Sequence, residues 1–328
     1  MTKTLADNDE YFYLQTYPPY PSTALDEEEM FSFPLVLYSI ICLLGVGGNG
    51  LVIWIAVLEV RKTVSMIWLL NLSVADFIFT ALLPFAITHQ ALGTHWPFGH
   101  IMCKLISFIN QLTMFASVFT LTAIAFDRFI SIVFPIWSQN HRTVRLAVEV
   151  SLVVWILAAV PSVPFFLIRD TMEEEVGGFT YCFYNEDVYK LSHLVLGRFT
   201  LAFLLPFITI AFCYAIITRK VRRRWKKSSD RSCRVTCTII CAFFICWLPF
   251  HVLYILHSTT SRQFTITLPL ATCLAYANSC INPVLYTFAG RGSCLQVKRR
   301  IQLALKLFQL EMSNSGSRTE SRLSRAIV

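Results

Sequence analysis

Charge is what this 328-residue chain has least of: Asp, Glu, Lys and Arg make up 15% of it, against about 25% in a soluble globular domain. That deficit excludes a water-solvated surface over most of its length. Repeats with a period of about 20–50 residues are missing, which argues against solenoids and propellers. Internally duplicated transporters, built around a midplane site, lose support for the same reason. No H-E-x-x-H, G-x-S-G or paired aspartates lie in an apolar run, so an enzyme has no chemistry to stand on. Eleven cysteines are present, yet none shows zinc-like spacing, and most behave as small hydrophobes inside apolar runs. No basic stretch followed by a short apolar run opens the chain, so a cleaved signal peptide is not expected. The one glycosylation sequon, Asn71-Leu72-Ser73, falls within an apolar run and should stay unmodified.

What is abundant is apolar surface: 55% hydrophobic residues and 14% aromatics, with a mean hydropathy of +0.57. Seven apolar segments, at 33–58, 66–90, 101–128, 147–168, 192–218, 235–257 and 265–288, are long enough to cross a bilayer. Backbone polar groups in hydrocarbon must be satisfied within the segment, so each should be a helix. Pro84, Pro161, Pro164, Pro206, Pro249 and Pro283 should kink those helices. The expected fold is an all-α membrane protein, a seven-transmembrane helix bundle with a short amphipathic eighth helix. Of 28 Lys and Arg residues, 22 fall on one side of a seven-span arrangement, nine of them within 219–234. The positive-inside rule therefore puts the amino terminus outside and the carboxyl terminus in the cytoplasm. The basic excess follows the spans, and no nucleic-acid partner is expected.

Four regions follow. Residues 1–31 form an acidic, tyrosine-rich tail with seven acids and one lysine; it is either a solvated disordered segment or a surface that captures a basic partner, helped by tyrosine sulfation. Residues 32–290 form the membrane domain. Residues 291–309 read as an amphipathic helix on inner-leaflet lipids, Lys298, Arg299, Arg300 and Lys306 facing the headgroups. Cys294 there is a palmitoylation candidate or a free thiol. Residues 310–328 are a serine-rich tail whose phosphorylation would add charge for a partner to read.

Ionisable residues inside spans are expensive and mark function by default. Asp76 lies in the second segment, where Asn49, Ser117, Asn278, Ser279 and Asn282 can face it from other helices. Together they either hold a hydrated cation such as Na⁺ or bond one another to lock packing. Arg198 lies about two turns before Pro206 in the fifth segment. It either snorkels to the surface or turns its guanidinium into a cavity to clamp a ligand carboxylate. Asn110, Gln111, His89, Trp96 and Tyr276 stand at matching depth as wall residues.

Six short signatures stand in order along these segments: Gly48-Asn49-Gly50-Leu51-Val52, Leu72-Ser73-Val74-Ala75-Asp76, Trp96-Pro97-Phe98-Gly99, Asp127-Arg128-Phe129, Cys246-Trp247-Leu248-Pro249 and Asn282-Pro283-Val284-Leu285-Tyr286. With them the chain resembles a rhodopsin-like (class A) G-protein-coupled receptor over essentially its whole length. The stretch Pro135 to Thr143, the loop His95 to Gly99 and the run Phe166 to Thr171 resemble the chemoattractant group within it: the formyl-peptide, chemerin and complement anaphylatoxin receptors. That resemblance implies a disulfide between Cys103 and Cys182, and a sodium pocket of Asp76, Ser117, Asn278 and Asn282. It implies Trp247 as a toggle beneath the ligand, helix movement about Pro249, and further switch residues in Asn282, Pro283 and Tyr286. Arg128 would be the gate to the G protein, released from Asp127 on activation. Gln111 stands where formyl-peptide receptors carry an aspartate and Leu194 where they carry a second arginine; both argue against a formyl-methionyl ligand.

The implied function is a plasma-membrane receptor for a peptide or small-protein chemoattractant, signalling through Gi-type G proteins, with arrestin and receptor kinases as later partners. No cofactor is implied beyond optional allosteric Na⁺. A receptor for a carboxylate lipid mediator and a non-signalling decoy of the same fold are the alternatives.

Overall fold

The computed structural model describes residues 24–59, 62–174, 178–185, 190–224, 230–260, 264 and 267–289. The chain divides into two compact units, Met1–Pro283 and Val284–Val328, and only the end of one helix is described in the second. The amphipathic segment 291–309, Cys294, the serine-rich tail, Glu186, Asp187 and most of the acidic tail lie outside the described residues, as do the side chains of Tyr286 and of the basic run beyond Lys220.

The helices are α1 (Ala24–Leu58), α2 (Val64–Ala81), α3 (Leu83–Ala91), α4 (Gly99–Val133), α5 (Pro135–His141), α6 (Val144–Leu167), α7 (Leu191–Phe199), α8 (Leu205–Arg224), α9 (Asp230–Thr260) and α10 (Thr267–Ala289). Among the described residues six stretches are long and apolar enough to cross a membrane: Phe33–Leu58, Val64–Ala91, Gly99–Val133, Val144–Leu167, Leu191–Lys220 and Ile240–Thr260. The 23-residue α10 covers the described part of the seventh predicted segment. Helix α1 runs back into the acidic region as far as Ala24.

Local chemistry sets the breaks. Thr63 and Thr143 cap α2 and α6, each hydroxyl accepting from the backbone N–H three residues on, at 3.3 and 3.2 Å. Pro84, in the first turn of α3, has no N–H to continue the ladder of α2, so the second span breaks at Leu82. Ahead of Pro206 the fifth span widens into a π turn over Thr200–Leu204, where the Leu205 N–H bonds to Thr200 O, five residues back. A looser turn there accommodates the donor the proline ring lacks.

The sequence reading assigns no strand, yet the segment joining the fourth and fifth spans holds an antiparallel hairpin of β1 (Arg169–Glu173) and β2 (Thr180–Tyr184). Its register pairs Arg169 with Tyr184 and Thr171 with Cys182. The Cys103–Cys182 disulfide, with a Cα–Cα distance of 5.8 Å, ties β2 to the start of α4. Trp96 N–H donates to Thr180 O at 2.7 Å and the Thr180 N–H to His95 Nδ1 at 3.1 Å, anchoring the other edge of the hairpin.

Along the bundle, Leu72, Phe115, Val118, Leu121, Ala125, Ala158 and Ala275 are fully enclosed. Helices α1 and α2 approach closely at Gly45: a Cβ added there would lie 2.3 Å from Thr80 Cγ2. Gly45→Ala should therefore force the helices apart and destabilise the chain by about 1–3 kcal/mol, read as a lower thermal midpoint of the purified protein. A Thr80→Ala background should recover part of the loss, and an unchanged midpoint would refute the contact.

Candidate functional site

Three polar constellations interrupt the apolar bundle. The first surrounds Asp76, on α2 and 3% exposed. Asn282 Nδ2 donates to its Oδ2 at 2.7 Å, and Ser279 and Ser117 hydroxyls donate to Oδ1 at 3.1 and 3.5 Å. Helices α4 and α10 thus converge on one carboxylate. Asn49 does not bond it; its amide donates to Gly45 O at 3.0 Å and Ser279 O at 2.9 Å, bracing α1 against α10. A narrow cavity beside the carboxylate is lined by Asp76, Thr113, Ser117, Trp247, Asn278 and Ser279. Three amide oxygens, those of Asn49, Asn278 and Asn282, are buried and accept no hydrogen bond among the described residues. Oxygen acceptors with spare lone pairs around a carboxylate suit a hard cation, and the same atoms suit bound water. Met114, Phe79 and Phe243 close the cavity, and Trp247 joins its wall to Phe250 and His251, with ring centroids 5.7 and 5.9 Å away.

The second constellation centres on Arg198, at the end of α7 and only 5% exposed. It does not snorkel. Its guanidinium carbon lies 4.6 Å from the Tyr254 ring centroid, 4.9 Å from Phe250 and 6.0 Å from Phe165. Arg198 Nε and Nη2 are buried and donate to nothing among the described residues. Aromatic faces attract a cation but leave its N–H groups unanswered, and a guanidinium cannot shed its charge. A buried cation in this condition calls for an anion.

A second arginine stands by the same group. Arg169 opens the hairpin, lies 3.7 Å over the Tyr184 ring and donates from Nη1 to Cys182 O at 3.1 Å; its Nε is buried and unpaired among the described residues. The Tyr184 hydroxyl is hydrogen-bonded to Tyr254, joining the hairpin to α9. Burial alone would raise the Tyr184 pKa, but Arg169 and Arg198 outweigh it and hold the phenol below its ordinary value. Two arginines thus act on the one phenol.

Of the wall residues read from sequence, Gln111 presents a buried Oε1 without a partner among the described residues, and Asn110 is half-buried one position before it on α4. His89 and Trp96 form a separate aromatic group, centroids 5.5 Å apart. Trp96 is buried and donates from its indole to Gly99 O at 2.9 Å. Tyr276 packs on Phe79 and Tyr38, at 4.8 and 5.5 Å. The cage residues Phe165, Tyr184, Phe250 and Tyr254, and Arg169 beside them, escaped the sequence reading. Arg169 carried one signal, a cation in an otherwise acid-rich segment.

The third constellation lies at the Asp127-Arg128 pair. Asp127 does not hold Arg128. Both its oxygens take a fork from Arg142, Nε to Oδ1 at 2.7 Å and Nη2 to Oδ2 at 2.9 Å, while Arg128 Nη2 reaches Ser65 Oγ at 3.2 Å. Arg142 returns to Asp127 from the far end of a short loop helix.

Removing the closest donor to Asp76, by Asn282→Ala, should cost about 1–3 kcal/mol, the value of a hydrogen bond to a charged or buried acceptor. Thermal unfolding of the purified chain reads this, and a loss no larger than that of an exposed Asn→Ala control would contradict the geometry.

The model of the 7 transmembrane receptor (rhodopsin family) matches residues 48–286. Chemerin-like receptor 1 of Rattus norvegicus is 43% identical over 281 residues, 79% of this chain and 75% of the relative. The C3a anaphylatoxin chemotactic receptor of Danio rerio is 40% identical, over 86% of this chain and 78% of the relative. N-formyl peptide receptor 2 of Gorilla gorilla gorilla is 39% identical, over 82% of this chain and 87% of the relative.

Proposed function

Since this chain belongs to the rhodopsin family of seven-transmembrane receptors, we propose that it is a plasma-membrane receptor for a peptide or small-protein chemoattractant whose terminal carboxylate pairs with Arg198. The observation that carries this reading is the buried, always charged guanidinium whose Nε and Nη2 lack partners among the described residues. A planar carboxylate offers two oxygens in the geometry a guanidinium fork prefers. Arg169, whose Nε has no partner among the described residues, adds a second positive charge at the Tyr184 hydroxyl. The names of the relatives, chemerin-like, C3a anaphylatoxin and N-formyl peptide receptors, support a peptide or protein agonist.

In this reading the amino terminus is outside and the carboxyl terminus cytoplasmic, following the Lys and Arg distribution. The acids of residues 1–31 and of 173–187 steer a basic ligand body toward the cavity. Agonist on Arg198 bears on Tyr254 and Phe250, both on α9, and shifts a pre-existing equilibrium of that helix about Pro249. Phe250 passes the displacement to Trp247, on the wall of the Asp76 cavity. At the opposite end Arg128 receives a Gi-type G protein. Arrestin and receptor kinases act on the serine-rich tail, and inner-leaflet lipids hold the segment before it. Na⁺ in the Asp76 cavity favours the resting state. A carboxylate lipid mediator is the second reading, because Arg198 and its aromatic cage would serve it equally; a decoy that binds without signalling is the third.

The test is inhibition of forskolin-raised cAMP by chemoattractant peptides, complement fragments and lipid mediators, with and without pertussis toxin. A toxin-sensitive peptide response is expected; binding at the cell surface without any response would favour the decoy. Arg198→Ala should lower potency about tenfold or more, from the loss of ~1.5–3 kcal/mol of charge-assisted bonding, with surface expression intact. Arg198→Lys, which keeps the charge and loses the fork, should fall between. Unchanged potency in both would remove the carboxylate role. For the cation, replacing Na⁺ by N-methylglucamine should raise agonist affinity, and Asp76→Asn should erase that difference. Equal affinity in the two salts would contradict the proposal.

A further inference from the structure

Arg142 sits in the loop between the third and fourth spans, and its placement is the work of a chain of local contacts. Helix α4 ends at Val133, whose carbonyl takes a hydrogen bond from Lys220 Nζ at 2.6 Å. Pro135 opens the short helix α5, Ser138 Oγ reaches back to Ser131 Oγ at 3.4 Å, and Trp137 stacks on His141 at 4.6 Å. The Arg142 N–H closes the turn on Ser138 O at 2.9 Å. Thr143 then caps α6, so Arg142 is held between two helix ends and its side chain is delivered to Asp127. That carboxylate is 8% exposed, and both its oxygens are taken. Arg128, one residue further on, has a 3.2 Å contact with Ser65 and a buried Nε with no partner among the described residues. Arg142 Nη2 also comes within 3.4 Å of Ser65 Oγ, so the two guanidinium groups share one hydroxyl, while the carboxylate is bonded by Arg142.

We propose that Arg142 is the positioning residue of the signalling end: by saturating Asp127 it keeps Arg128 uncaptured and ready for the G protein. This rests on the receptor reading above. A carboxylate this enclosed does not stay unpaired. If Arg142 is removed, the cation within reach is Arg128, and its capture withdraws the group the G protein needs. The loop helix is then the element that sets how readily the receptor couples, and anything that displaces α5 acts on Arg128 through Asp127.

The experiment is a double-mutant cycle on the full chain in lipid nanodiscs, with Arg142→Gln, Asp127→Asn and the pair together. Its first arm is thermal unfolding and needs neither agonist nor G protein. Arg142→Gln should lower the midpoint by about 2 °C or more beyond its effect in a chain already carrying Asp127→Asn. Equal effects in the two backgrounds would overturn the proposal while leaving the receptor reading untouched. The second arm is nucleotide exchange on Gi heterotrimer, driven by an active panel peptide. Arg142→Gln should slow exchange about fivefold or more with peptide binding unchanged, and the double variant should recover most of the parent rate, because no carboxylate remains to capture Arg128. A double variant as slow as Arg142→Gln would mean that Arg142 acts by ordering the loop or touching the G protein, and would overturn the proposal. Thermal coupling in a parent chain that drives no exchange would count against the receptor reading alone.

Discussion

A bilayer supplies no hydrogen bonds, so every polar group within it has to be answered by the protein or by something the protein binds. That constraint makes the spans helical, and it confines each departure from the helix to a place where a substitute is available. The break at Leu82 and the π turn before Pro206 are such places. The hairpin meets the same demand at its edge, where Trp96 and His95 take up the backbone of Thr180.

The same constraint sorts the buried charges. Asp76 is answered in full, by three side chains from two helices, with spare amide oxygens near by. Asp127 is answered in full by one arginine. Among the described residues Arg198 is met by aromatic faces, while its Nε and Nη2 have no partner. The difference is what motivates the proposal that a ligand anion meets Arg198. Two of the three rings around Arg198, Phe250 and Tyr254, belong to α9, the helix that also carries Trp247 and Pro249.

Much of this was legible in the chain because charge is scarce in it. An Asp or Arg inside an apolar run is conspicuous, and Asp76, Arg198 and Asp127 could be singled out without any structure. Their partners were harder. Phe165, Phe250 and Tyr254 are ordinary residues in apolar helices, and only the crossing of α6, α7 and α9 turns them toward one guanidinium. The hairpin was invisible because its strands are five residues each and lack a clean alternation of apolar and polar side chains. The place of Arg142 could not be read from the chain: the family resemblance concerned Asp127 and Arg128, and only the loop helix brings a residue fifteen positions away back to Asp127.

The central claim is that Arg198 holds a ligand carboxylate. Competition binding of one active peptide in two forms, free acid and carboxamide, tests it most directly on purified parent and Arg198→Ala chains. The account predicts that the amide binds the parent about tenfold or more weakly than the acid, and that the two forms bind the variant alike. Equal affinity of acid and amide for the parent chain would contradict it.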